Sequence, residues 1–240
     1  MEKAGNDVMA TEKYLSEKED LIFMLMHDLR TPLARAQGLV EILGATQLTE
    51  DQKQIVQMIL KATGEGFQLI NDMLQISSIA HQNQEPEAAS IDLRLFVHEL
   101  VKNHFAIAAN EKKVHINIAV EDHLQVHIDA LALQRIFDNL ISNAIKFSGA
   151  GTTVHIKVLN TERYVYISVQ DEGPGISAED QKKLFKKFQK LSPQPTAGES
   201  STGLGLYIVK NLVEKLRGTI RVKSEPGKGT EFIIRLDSAR

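Results

Sequence analysis

His27 is followed directly by Asp28, and Thr31 stands one helical turn further on, so an imidazole, a carboxylate and a hydroxyl share a short stretch. A carboxylate beside a ring can accept its proton or hold its tautomer, and residues at i and i+4 share a helix face. Pro32 removes a backbone donor in the same turn, a costly choice inside a helix that calls for a compensating role. Most other histidines read more blandly. His98 and His104 fall in a helical stretch, and His115 and His155 fall in strands beside polar alternates, where they are expected to face solvent. His123 and His127 straddle a strand start with no third ligand at a recognisable spacing.

Further along, Asn139, Asn143 and Lys146 fall at i, i+4 and i+7, a polar stripe opposite Ile136, Leu140 and Ala144. Asparagine is a poor helix former, and a merely solvated face would more often be Lys and Glu. Amide oxygens suit a hard ion such as magnesium while leaving room for phosphate oxygens, and a lysine adds charge beside them. In VQDEGPGIS, Asp171 ends a strand and Gly173 and Gly175 form the turn. A carboxylate fixed there can accept the exocyclic amine of adenine while the glycines let the backbone approach the ring. In TGLGLYIV, Thr202, Gly203, Leu204 and Gly205 open a helix whose free N–H groups and positive dipole end suit a phosphate. GKGT at 227–230 is no P-loop, because Lys228 lacks the glycine five positions earlier and no helix follows.

The elements that must carry these residues divide into two sets. Ile22, Leu25, Met26, Leu29, Leu33, Ala36, Val40 and Leu43 mark one helical stripe; Ile55, Ile59, Ala62, Gly66, Leu69, Met73, Ile76 and Ala80 mark a second with coiled-coil spacing. Between them, Gly44 ends one helix and Thr49 with Gln52 forms a capping box for the next, an antiparallel hairpin. Two helices cannot enclose a core alone. A homodimeric four-helix bundle is the expected remedy; packing on the rest of the same chain is the alternative. A boundary is expected near Gln82 to Ser90, giving units of 1–85 and 86–240, with no strand pattern before about residue 113. Beyond it the pattern predicts a helix over 92–109, strands at 114–120 and 124–128, and a helix at 130–147. A hairpin at 153–159 and 163–170, a short helix near 178–187 and a Pro/Gly/Ser-rich loop at 192–202 follow. A helix at 204–216 and strands at 218–224 and 230–236 complete an α/β sandwich.

HDLRTPL at 27–33 resembles the phosphoacceptor box of bacterial sensor histidine kinases. The later order is similar to the N, G1, F, G2 and G3 boxes of their ATP-binding domain, a Bergerat-type fold shared with Hsp90, gyrase B and MutL: asparagine helix, D-x-G-x-G turn, phenylalanine pair, G-x-G helix start and G-x-G-T turn. The resemblance spans about residues 20–236. It implies that His27 takes the γ-phosphoryl group of ATP with Asp28 as general base, and that Thr31 orients a water against a phosphorylated partner. Thr31 instead capping a carbonyl freed by Pro32 stays open. It further implies magnesium on Asn143, Asn139 and Lys146 at the phosphates, Phe147 against the nucleotide, and Asp171 reading adenine beside Gly173 and Gly175. Phe185 and Phe188 match the F box, with Lys186 and Lys187 where an acid and a proline are common. Lys190 matches a basic residue near the γ-phosphate, or is one more lysine on a solvated face. Gly198 to Thr202 would form the ATP lid, with Gly203, Leu204 and Gly205 at its phosphate end.

Composition narrows what remains. No cysteine is present, which excludes disulfides, iron–sulfur clusters and thiolate zinc sites. The net charge of −3 argues against bulk nucleic-acid binding, with residues 1–85 at −6 and the remainder at +3. No apolar run approaches the ~20 residues of a membrane span, so a cytoplasmic chain without membrane contact is expected, although the parent protein could carry a sensor or membrane region. The expected function is ATP-dependent autophosphorylation on His27 and transfer to an aspartate of a response regulator's receiver domain. Its cofactors would be ATP and Mg2+; the alternative is a silent ATP-binding dimeric scaffold.

Overall fold

The computed structural model describes the backbone of residues 2–81, 88–122, 124–199 and 201–237, with side chains from residue 21 onward apart from 23 and 78–81. His123, Ser200 and residues 82–87 of the expected boundary lie outside the described residues. The chain divides into two compact units, Met1–Asn83 and Gln84–Arg240.

The first unit is a helical hairpin of α1 (Glu2–Gly44) and α2 (Glu50–His81). Its turn is built as the residues dictate: the Thr49 amide donates to Gln52 Oε1 at 2.9 Å and the Gln52 amide to Thr49 Oγ1 at 3.3 Å, a reciprocal capping box. The stripes differ from expectation. The side chains buried in α2 are Val56, Thr63, Ile70, Asp72 and Ser77, whereas Ile55, Ile59 and Leu69 are exposed. In α1, Ile22, Met26, Leu33 and Val40 are half-buried while Leu25, Leu29 and Leu43 are exposed. A β-carbon on Gly66 would stand 3.0 Å from Leu33 Cδ2, so the glycine lets the helices approach at that level. Sequence periodicity merged two faces: one closes the hairpin, and the other remains open. Thr63 sits in the closed seam because its hydroxyl donates to the carbonyls of Ile59 and Leu60 within its own helix, both at 3.0 Å.

The second unit begins with β1 (Ala88–Asp92), a strand the sequence pattern missed. Only Ile91 in it is a strand-type apolar residue, and its order comes from antiparallel pairing with the distant β3 (Gln125–Asp129), Ala88 opposite Asp129. The single helix expected over 92–109 is α3 (Leu93–Leu100), a π-helical turn (Val101–Phe105) and α4 (Ala106–Glu111). The widened turn carries His104, whose Nδ1 lies 3.1 Å from Asp138 Oδ1 on α5 (Ala130–Phe147). Strands β2 (His115–Val120), β4 (Thr153–Asn160), β5 (Tyr164–Asp171), β7 (Thr230–Asp237) and β6 (Thr219–Ser224) form a five-stranded sheet in that spatial order. Only β2 and β4 run parallel.

One face of the sheet carries the core, as the buried alternates of β4, β5 and β7 meet the apolar faces of α5 and α7 (Gly205–Lys215). Leu133, Ile136, Phe137 and Ile141 of α5 and Ile208 and Val209 of α7 are almost wholly buried. Cutting one of the larger side chains to alanine costs roughly 2 to 5 kcal/mol. Helix α6 (Ala178–Gln181) is shorter than the expected 178–187. Lysines at i and i+4 (182 with 186, 183 with 187) disfavour continuing the α-helix, and the chain goes on in i→i+3 turns such as Lys186 N–H to the Lys183 carbonyl at 3.0 Å. His115 is exposed as expected, but His155 is half-buried beside Asn117.

Candidate functional site

In the first unit, His27 and Asp28 stand out from the hairpin with side chains 71% and 72% exposed. His27 Nδ1 lies 3.4 Å from Asp28 Oδ1, a pairing that favours the tautomer with its proton on Nδ1 and leaves Nε2 its lone pair. Thr31 is exposed one turn along the same face. The helix runs on through Pro32.

In the second unit the residues chosen from sequence converge from four elements. Asp129 caps α5 through its own carboxylate, accepting from the Ala132 amide at 2.9 Å, and the helix then presents Asn139, Asn143 and Lys146, each half-buried. The Asn139 amide donates to the Arg135 carbonyl at 2.8 Å, and a β-carbon on Gly205 would come within 2.6 Å of Asn139 Oδ1 and 4.0 Å of Asn143 Nδ2. The first turn of α7 therefore abuts the two asparagines, and a side chain at Gly205 would have to displace the Asn139 amide. The side-chain amide of Asn143 makes no hydrogen bond among the described residues. No side chain caps α7, so its leading N–H groups remain available to an anion. Leu204 is fully buried beneath this turn, and its amide donates to Thr202 Oγ1 at 3.3 Å. Gly203 takes φ +70°, and a β-carbon there would also strike the backbone of Phe188 and Gln189. The segment around Phe188 and Gln189 thus packs on the turn that precedes α7. Phe188 itself is exposed and has φ +58°, while Phe185 is half-buried. Lys190 is exposed; Lys187 lies over the Tyr207 ring at 4.9 Å.

Asp171 ends β5 with 6% exposure. Its Oδ1 accepts from the amides of Gly173 at 2.8 Å and Thr230 at 3.2 Å, and Oδ2 has no partner among the described residues. Burial pushes its carboxyl up to about 6, against the opposing pull of the two amide bonds. Gly173 packs where a β-carbon would lie 2.7 Å from the Phe147 carbonyl, and Gly175, at φ +71°, lies against the Glu225 carbonyl. Residues that sequence reasoning passed over hold this floor in place. Ser224 Oγ accepts from the Ile176 amide and donates to the Gly229 carbonyl, both at 2.8 Å, and lies 2.9 Å from Thr230 Oγ1. Gln181 donates to the carbonyls of Ile176 and Ser224. A serine and a glutamine in ordinary polar surroundings give no sequence signal for this tie. Among the described residues, no group of three or more His, Asp or Glu side chains forms a metal cluster, and His123 lies outside them.

Residues 17–82 match the His Kinase A (phospho-acceptor) domain family, and residues 128–240 match the histidine kinase-, DNA gyrase B- and HSP90-like ATPase family. The chain is 34% identical to the sensor histidine kinase YclK of Bacillus subtilis over 94% of its own length and 48% of YclK, and 32% identical to WalK of the same organism, covering 96% and 38%. It thus spans less than half of these relatives. Among solved structures it is similar to full-length ShkA, crystallised with AMPPNP (TM-score 0.74, 28% identity, 92% of this chain and 46% of that one). It is also similar to the Acinetobacter baumannii histidine kinase AdeS (TM-score 0.63, 25% identity, 89% and 98%). With a phosphoacceptor hairpin preceding an ATPase unit of this topology, the chain belongs to the sensor histidine kinases and comprises their catalytic core.

Proposed function

We propose that this chain phosphorylates itself on His27 at the expense of ATP and passes the phosphoryl group to an aspartate on the receiver domain of a response regulator. The observation that carries the reading is the exposed His27–Asp28 pair in a chain that also holds an ATPase unit with a buried, half-satisfied carboxylate at Asp171. Asp171 Oδ2 would accept the adenine amine, with Phe147, Gly173 and Gly175 shaping the pocket. The first turn of α7, from Thr202 through Gly205, would hold phosphate oxygens together with Asn139, Lys146 and Lys190. The unengaged amide of Asn143, facing the same cradle as Gly205, fits an oxygen-seeking Mg2+, which when bound would neutralise phosphate charge.

In the transfer, His27 Nε2 forms a bond to the γ-phosphorus as the bond to the bridging oxygen breaks, and ADP leaves with that electron pair. Asp28 takes up the developing positive charge by accepting the Nδ1 proton. The open apolar face of the hairpin supports homodimerisation into a four-helix bundle. Thr31 would position water for hydrolysis of the phosphorylated regulator. Incubation with γ-labelled ATP should give an acid-labile, base-stable label on the wild type and none on His27→Gln; label retained in that variant refutes the assignment. Asp28→Asn should lower the rate by roughly 10²-fold or more with little change in ATP affinity.

A further inference from the structure

Lys112 lies outside every motif discussed above, yet its ammonium is almost buried, with the side chain 13% exposed. It donates to the carbonyls of Ile145 at 2.9 Å and Lys146 at 2.5 Å and to Glu199 Oε1 at 2.6 Å. All three of its donors are thereby used. Two of the acceptors are terminal carbonyls of α5, which have no partner within the helix, so Lys112 closes the negative end of the helix that carries Asn139, Asn143 and Lys146. The third acceptor belongs to the loop at 192–202. That loop is stitched to the same place: the Thr196 amide donates to the Lys146 carbonyl at 3.2 Å, and its hydroxyl to the Ser148 carbonyl at 2.6 Å. Glu199 turns its second oxygen back to accept from the Ala197 amide at 2.9 Å. Burial raises the Glu199 carboxyl, but its bonds from Lys112 and from the loop amides outweigh this and hold it below the usual range.

We infer that Lys112 and Glu199 form a latch that pins residues 196–199 to the end of α5 and so sets how quickly nucleotide leaves the ATPase unit. The inference rests on the nucleotide-binding reading above. One ammonium links the helix bearing the phosphate-side residues to the segment leading into Thr202 and Gly203. When the latch is made, the loop cannot swing from the cradle without stripping a part-buried cation of an ionised partner. Lys112 and Glu199 are positioning residues; neither need touch the nucleotide.

Glu199→Gln separates the latch from the capping of α5, because it removes the carboxylate and leaves both carbonyl bonds of Lys112 in place. The first measurement is hydrogen exchange on the nucleotide-free full chain. Glu199→Gln and Lys112→Met should speed exchange of the Thr196 and Ala197 amides, while the amides of β5 and β7 keep their protection. The second is release of a fluorescent ATP analogue, which should accelerate roughly five- to thirty-fold, as expected for losing a charge-assisted hydrogen bond of this exposure. Unchanged exchange at 196–197 in both variants overturns the latch, whether or not nucleotide binds. Faster exchange with unchanged release also overturns it, as a control on nucleotide residence. A wild type that binds no analogue refutes the nucleotide reading instead, and the exchange result then judges the contact separately.

Discussion

Asp171, proposed to hold the adenine amine, shows what a buried carboxylate costs its own fold. Its carboxyl lies near 6 rather than 3.8, so the folded state prefers it protonated. Stability from that preference is complete below the unfolded value and disappears as pH rises through about 6, a loss on the order of 3 kcal/mol for a shift of this size. Asp171→Asn keeps an oxygen for the Gly173 and Thr230 amides without the buried charge. At pH 7.5 the nucleotide-free variant should melt higher than the wild type while binding ATP more weakly; a lower melting temperature would mean that the charge is compensated. An amine donor favours the ionised carboxylate, so wild-type affinity should fall more steeply than that of the variant as pH drops below about 6, a comparison calorimetry can make. At the other site, Thr31→Ala should retain His27 labelling and thermal stability while losing phosphatase activity toward a cognate regulator. If labelling and melting temperature fall together with it, Thr31 is structural.

At the scale of elements, the two faces of the hairpin give different expectations for neighbouring residues. Ile70 is buried in the closed seam and Leu69 is 39% exposed on the open face. Leu69→Asp should shift the full chain from dimer to monomer in sedimentation while helicity is retained. Ile70→Asp should instead unfold the hairpin, because an unpaired charge would enter the seam. Equal behaviour of the two would remove the distinction between the faces. Much of this level was legible beforehand: the Thr49/Gln52 capping box, the span of α5 and the β4–β5 hairpin all follow from local chemistry. What was not legible depends on distant partners. β1 exists because β3 lies beside it, and the π-helical turn carries His104 to Asp138 on α5; α6, by contrast, stops early for a local reason, the lysines that crowd its next turn. Which apolar stripe closes the hairpin was equally hidden, since Val56 and Ile55 are interchangeable to a periodicity argument.

The whole molecule joins two units with separate tasks. The residues proposed to hold nucleotide were readable as motifs because glycines and asparagines are poor choices for their positions unless something must approach closely. Their supports, Ser224, Gln181 and Lys112, are unremarkable in sequence and were found only in three dimensions. Ligand saturation should report the division. At a hundred times its dissociation constant, ATP adds about 2.7 kcal/mol to the state that binds it. For a domain of this size that is roughly 5 to 10 °C, confined to the transition of the second unit. A matching shift in the hairpin's helical signal would show that the units melt as one.

The strand order β2-β4-β5-β7-β6 places β7, the last of the described strands in sequence, inside the sheet, between β5 and β6. During synthesis, therefore, the earlier strands wait with unpaired edges until residues 230–237 have cleared the ribosome, and the carboxylate at 171 waits for the amide of residue 230, 59 positions later. The hairpin needs no such delay, because its partners are near in sequence and complete first. A nascent chain stalled before β7 would carry a finished phosphoacceptor beside an ATPase sheet that cannot close. On the proposed function, transfer from ATP to His27 would therefore have to wait until β7 has been made and paired.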